Sequence, residues 1–242
     1  MGLLVRQPDR AALDHACAAW LARRLDVHPG SARVFGVCGG RSVEGIFTAL
    51  ARRTDVHWPG VHLFLVDERV VPPADADSNL RQLRAALVDA LAAQGLLPEE
   101  NVHGFRFPER SSAADGAAVV DACNAELQAL GGRFDALLLS AGEDGHVASL
   151  FPDHASIDDP SVGFFLFDDA PKAPPRRVSA SRSLLLRSHC AALVFAGESK
   201  RAALSSFIAC SDDPGALDIR RHPACLVRSL PEWAAFTDLD DR

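Results

Sequence analysis

Short β-like runs alternate with longer helical ones along nearly the whole chain, and that alternation leaves few folds open. The runs Arg33 to Val37, His62 to Val66, Ala136 to Leu139, Gly163 to Phe167, Arg177 to Ala180 and Ala191 to Phe195 have the apolar, β-branched or aromatic character of strands. Between them, Asp9 to Leu25, Ser42 to Arg53, Asn79 to Gln94, Ala113 to Leu130 and Glu198 to Ile208 repeat apolar residues at three- and four-residue spacing, the period of an amphipathic helix. Gly95 and Gly131-Gly132 stand where helices stop. Strands separated by helices pair in parallel, because a crossover helix returns the chain to the edge it left. The expected fold is α/β: a mainly parallel open sheet with helices on both faces, Rossmann-like. The chain has 242 residues and no repeat or low-complexity tract, so one domain over 1–242 is the economical organisation. The Pro-rich stretch Asp168 to Pro175 is too short for a flexible interdomain linker and reads as an ordered connector.

Bulk properties exclude several function classes. A net charge of -7 argues against nonspecific nucleic-acid binding, and an anionic substrate would need a locally basic pocket. No apolar stretch approaches the roughly 20 residues that a membrane span needs, and the N-terminal MGLLVRQPDRAALDHA lacks a signal-peptide core. Six cysteines are widely scattered with no CxxC pair, so neither a zinc site nor a disulfide framework is expected. A reducing cytoplasm fits that usage.

The segment Phe134 to Pro152, FDALLLSAGEDGHVASLFP, points most directly to chemistry. A buried strand stops at small residues and spills into a tight loop, and ligands of open α/β sheets bind at that carboxyl edge. Gly142 and Gly145 bracket Glu143-Asp144, and His146 follows. A neutral imidazole there could draw a proton from water, with Asp144 orienting it.

Three further loops could converge on it. Cys38-Gly39-Gly40-Arg41-Ser42 follows the first strand run and precedes a helix, where backbone N–H groups and the helix terminus favour an anion. Arg41 could fork onto a phosphate and Ser42 could cap the helix. Asp67-Glu68-Arg69 closes a strand run with adjacent charges, readable as an internal ion pair or as a site wall; Ser78-Asn79 beyond it reads as a helix cap. Arg176-Arg177 follows the proline connector, and Lys200 falls in the first turn of the last helix, where a cation is better tolerated if it meets an anion. The sum is a cationic pocket beside an Asp/His pair, suited to acid–base chemistry on a small phosphorylated substrate. No metal cluster, nucleotide fingerprint or serine elbow is visible, so no metal and no cofactor are expected.

With these residues in place the chain resembles the 6-phosphogluconolactonases of the glucosamine/galactosamine-6-phosphate isomerase superfamily, over nearly its whole length. The resemblance rests on the glycine loop Cys38 to Ser42, the DER strand end with Ser78-Asn79, GxDGHxASLFP (Gly142 to Pro152), PKxPPxR (Pro171 to Arg177) and GxxK (Gly197 to Lys200). It implies the NagB-type fold and hydrolysis of 6-phospho-D-glucono-1,5-lactone to 6-phosphogluconate, the second step of the oxidative pentose phosphate pathway. It further implies His146 as general base and Asp144 as its support. Gly39, Gly40, Arg41, Ser42, Asp67, Arg69, Arg177 and Lys200 would hold the substrate and its phosphate. The implied partner is a small phosphorylated sugar lactone, without nucleic acid or membrane, bound by a monomer or weak homodimer. Cys38-Gly39-Gly40-Arg41-Ser42-Val43 departs from the common Ser-Gly-Gly-Ser-Thr-Pro, trading a hydroxyl for a thiol and adding a guanidinium. Glucosamine-6-phosphate deaminases share the DGH loop, but their pattern resembles DGHIAFNEP; Ala148 to Pro152 reads ASLFP here. A non-catalytic sugar-phosphate sensor on the same fold would have no need of Asp144 and His146 together.

Overall fold

The computed structural model describes residues 2–26, 31–109, 112–211 and 213–240. Its strands are β1 (Gly2–Arg6), β2 (Arg33–Val37), β3 (Val61–Leu65), β4 (Asp67–Arg69), β5 (Val102–His103), β6 (Ala136–Ser140), β7 (Phe164–Phe167), β8 (Arg177–Ala180), β9 (Cys190–Phe195) and β10 (Glu232–Thr237). Its α-helices are α1 (Arg10–Leu25), α2 (Glu44–Ala51), α3 (Asn79–Leu83), α4 (Asp89–Ala93), α5 (Ala113–Ala129), α6 (Arg182–Leu186) and α7 (Arg201–Ala209). A seven-stranded sheet in the order β1-β10-β9-β6-β2-β3-β5 is parallel at every pairing. Successive residues of a strand face opposite sides of a sheet. Because Ala136, Leu137, Leu138 and Leu139 are all fully buried, both faces of the sheet are covered, as the sequence leads one to expect of a parallel sheet.

The elements start where local chemistry predicts. Asp9 and Ser78 accept backbone N–H groups of the first turns of α1 and α3, and Ser181 does so for α6. Ser112 and Asp115 form a reciprocal capping box at α5. The helix expected over Asn79 to Gln94 is divided: its middle, Arg84–Val88, takes the wider π form between α3 and α4.

Two departures concern the strands. Those expected over Gly163 to Phe167 and Arg177 to Ala180 do not join the parallel sheet. They pair with each other and with β4 in a small antiparallel sheet, β4-β8-β7, in the register Asp67↔Ser179 and Phe165↔Ser179. The proline connector between them is therefore the link of a β7–β8 hairpin. Apolar residues of both sheets belong to one continuous core.

The cysteine expectation is corrected as well. Cys210, at the end of α7, is bonded to Cys225 in the 3₁₀ segment Pro223–Ser229, with Cα atoms 6.5 Å apart. The pair was hidden because α7 packs on that segment only in three dimensions. Scattered cysteines therefore give no support to a reducing compartment. Among the described residues, no helix is long and apolar enough to cross a membrane.

Non-reducing peptide mapping should recover a 210–225 linkage. For a ring spanning a separation of 15 residues, Cys210→Ser should lower the unfolding free energy in urea by about 3 kcal/mol; an unchanged midpoint would refute a stabilising bridge.

Candidate active site

Strand β2 lies between β6 and β3, so the loops leaving β2 and β6 emerge side by side at the carboxyl edge of the sheet. Bonds just past the strand ends fix these exits: Cys38 N donates to Leu138 O at 3.0 Å, Val66 N to Val37 O at 2.8 Å, and Ala141 N to Val194 O at 3.0 Å. A cleft of about 540 Å³ opens there, reached by the glycine loop, the DER strand, the DGH loop, the β7–β8 connector and Lys200.

The DGH loop closes on itself through Gly142 N to His146 O at 2.8 Å and Gly145 N to Gly142 O at 3.0 Å. His146 Nδ1 lies 2.6 Å from Asp144 Oδ1. A Cβ at Gly142 would overlap both the imidazole and the carboxylate, so the pair can form only over a glycine. The ring tilts against Phe151, with centroids 4.8 Å apart. Ala148 holds a left-handed φ of 51°, a strained conformation for alanine, as the chain turns back beneath the histidine. His146 lines the cleft and Asp144 does not; Asp144 instead lines a hollow of about 320 Å³ behind the loop, with Asp153, Arg221 and His222. Partial burial would raise the Asp144 pKa, but its bonds to His146 and Lys172 outweigh that and hold it well below the usual carboxylate range.

The DER strand is ordered by a carboxylate shut off from water. Glu68 is fully buried; it accepts N–H groups of Arg69 (2.8 Å), Asn79 (2.7 Å) and Leu80 (2.8 Å), and the Ser78 hydroxyl at 3.1 Å. Burial pushes its pKa up to about 7, against the pull of the three N–H donors. Among the described residues no ion pair joins Arg69 to Asp67 or Glu68. Arg69 Nη1 donates instead to Asp77 O at 2.7 Å and Asn79 Oδ1 at 3.0 Å, and its Nε is buried without an acceptor in the protein. Asp67 accepts the Ser149 hydroxyl at 2.9 Å, which ties this wall to the DGH loop.

The remaining candidates divide. Arg41 is exposed at the rim, and Lys200 is half-buried at the end of the 3₁₀ turn Glu198–Lys200 that leads into α7. Burial lowers the Lys200 pKa, with Lys172 acting in the same direction and Glu143 against it. Gly39 meets the Asn79 side chain so closely that a Cβ would overlap it, and Gly40 N–H is taken by Gln82 Oε1 at 2.8 Å. Ser42 does not cap α2: the helix starts at Glu44 behind Val43, and the Ser42 carbonyl is held by Arg10 Nη2 at 2.7 Å. Arg177 lines the cleft, but its Nε donates to Pro174 O at 2.7 Å and its Nη2 to the carbonyls of Lys172 (3.2 Å) and Ala173 (3.1 Å). Burial and the neighbouring Arg69 lower its pKa. The Cys38 thiol is pushed up to about 12, by burial first and by Asp67, so no thiolate is on hand.

Sequence reasoning passed over Gln82, Lys172 and the hydroxyl role of Ser149. Lys172 was visible within the PKxPPxR frame but carried no signal of its direction. Among the described residues, no group of three or more His, Cys, Asp or Glu is placed to hold a metal ion.

A family model described as glucosamine-6-phosphate isomerases/6-phosphogluconolactonase matches residues 8–233. A 6-phosphogluconolactonase of Borreliella burgdorferi is 31% identical over 204 residues, covering 84% of this chain and 83% of its own. The crystal structure of a 6-phosphogluconolactonase from Thermotoga maritima superposes with a TM-score of 0.80 at 21% identity, over 98% of this chain and 99% of that one. A monomeric glucosamine-6-phosphate deaminase superposes with a TM-score of 0.76 at 15% identity, over 97% and 96% of the two chains. The fold is thus common to both activities.

The depressed Asp144 pKa has a testable sign. A native pKa below the ordinary 3.8 contributes stability that is fully present above pH 3.8 and lost as pH falls towards the native value. Asp144→Asn should therefore destabilise the protein at neutral pH, by an amount that shrinks below about pH 4. A penalty independent of pH, measured by denaturant unfolding, would contradict this.

Proposed function

The chain belongs to the glucosamine-6-phosphate isomerase/6-phosphogluconolactonase family, and from that premise we propose that it hydrolyses 6-phospho-D-glucono-1,5-lactone to 6-phosphogluconate. The observation that carries this reading is an imidazole held at Nδ1 by an ionised carboxylate, on the wall of a cleft lined by Arg41, Arg69, Lys172, Arg177 and Lys200. With Asp144 ionised, Nδ1 must donate, and the lone pair then sits on Nε2.

In the proposed reaction His146 Nε2 takes a proton from water as the water oxygen bonds to the lactone carbonyl carbon. The tetrahedral oxyanion is stabilised by the cations of the cleft. Its collapse breaks the bond to the ring oxygen, which recovers the proton from Nε2 and becomes a hydroxyl. His146 is thereby regenerated, and the new acid ionises in water.

Arg41, Arg69, Lys200 and the glycine loop Gly39 to Ser42, apart from the Gly40 N–H that Gln82 takes, hold the phosphate, so binding energy from the remote end of the substrate fixes the carbonyl over the base. Arg177 serves chiefly by holding the connector that roofs the cleft, and Asp67 by anchoring Ser149. The sequence ASLFP after DGHV favours the lactonase over the deaminase.

The deciding experiment is turnover of freshly prepared 6-phosphogluconolactone, with spontaneous opening subtracted, beside a glucosamine-6-phosphate control. Release of ammonia from the control with no lactone turnover would overturn the assignment. Binding of 6-phosphogluconate without turnover of either would point to a sensor. His146→Ala should lower kcat about 10²-fold or more with the fold intact; near-wild-type activity would remove it as the base. Lys200→Ala should raise KM roughly tenfold or more, the value of one charge-assisted hydrogen bond, and an unchanged KM would place the phosphate elsewhere.

A further inference from the structure

One cation of the cleft faces the base rather than the phosphate loop. Lys172 Nζ lies 3.1 Å from Asp144 Oδ2, while Asp144 Oδ1 holds His146 Nδ1 at 2.6 Å. The carboxylate is therefore divided, one oxygen to the imidazole and the other to the ammonium. The Lys172 side chain is exposed, but its backbone is held firmly. Its own carbonyl and the next two are gripped by Arg177, which is 5% exposed, and the neck of the connector is closed by Ala170 N to Pro175 O at 3.1 Å. A buried strut thus fixes the backbone from which Lys172 reaches Asp144.

The consequence for the base is electrostatic. A proton arriving at His146 is attracted by Asp144 and repelled by any cation that shares it. Other charged groups face the pair from each side: Glu143 on the same loop, Lys200 at the start of α7, and Asp153, Arg221 and His222 across the hollow behind Asp144. Phe151 packs against the ring. Lys172, by contrast, bonds directly to the carboxylate.

We propose that Lys172 is a positioning residue that occupies the second oxygen of Asp144 and so keeps His146 unprotonated, and available as a base, at lower pH than the Asp–His pair alone would allow. The inference rests on the reading of His146 as general base. It is compatible with the lowered pKa of Asp144, to which Lys172 contributes by hydrogen bond and charge.

The test compares the full-length wild type, Lys172→Met and Lys172→Arg at one moderate salt concentration. One readout is the acid limb of kcat/KM for the lactone, which reports the free enzyme. The second, independent of turnover, is the midpoint of His146 titration by NMR. Lys172→Met should move both upward by about half a pH unit or more, as expected for removing one nearby cation from a partly solvated pair. Lys172→Arg should bring them back towards wild type. An unmoved or lowered midpoint in Lys172→Met overturns the proposal, as does an Arg variant that stays with Met. If wild type fails to turn over the lactone, the proposed function falls while the NMR midpoint still judges Lys172. If turnover stands and the midpoint does not move, only the Lys172 inference falls.

Discussion

Everything in the cleft depends on the pairing of β2 with β6. The two strands are distant in sequence yet adjacent in the sheet, in the register Phe35↔Ala136 and Val37↔Leu138. The junction is sealed at its start by a side chain, since Asp135 Oδ2 accepts Val34 N at 2.8 Å, and Asp135 N donates to Val34 O at 2.8 Å. From β2 the chain goes on to β3 and β5 on one side; from β6 it goes on to β9 and β10 on the other. Strand order reverses at this point, and loops leaving neighbouring strands in opposite directions open a crevice between them. The glycine loop and the DGH loop are its two lips.

The small antiparallel sheet adds what the parallel one lacks, a polar wall. An isolated buried carboxylate is strongly unfavourable, and Glu68 is tolerable because its two oxygens take four donors. Those bonds fix the start of α3, and through it Asn79, whose amide accepts from Arg69 and donates to Asp67 O at 2.9 Å. Asp67 then holds Ser149, and Ser149 N donates to Ser179 Oγ at 3.2 Å. An unbroken polar chain thus runs from the cationic wall to the loop that carries His146, with β8 as its backing.

The legible parts of this protein are the local ones. Alternating strand and helix runs, and an acidic pair bracketed by glycines before a histidine, are written in consecutive residues, so the parallel sheet and the loop carrying Asp144 and His146 could be read in advance, while the contact between the two side chains could not. What escaped is tertiary. Strands β1 and β10 are exposed or partly exposed at their starts and carry no clean alternation. Strand β4 is a three-residue strand recognisable only from its partner β8. The sequence put Arg177 in the pocket, which it lines, but a guanidinium's identity does not reveal whether it faces a ligand or its own preceding turn. Ser42 looked like a cap until Arg10, far away in sequence, took its carbonyl. Cys210 and Cys225 lacked any motif to announce them.

The DGH loop has two faces, and they meet different parts of the chain. One presents His146 to the cleft, while the other leaves Asp144 against Asp153, Arg221 and His222 in a hollow that His146 does not line. On the proposed reading, substitutions at Asp153, Arg221 or His222 would act on Asp144 from outside the cleft. Proton affinity and substrate recognition would then be partly separable traits of this chain, linked by Lys172, which lines the cleft and bonds to Asp144.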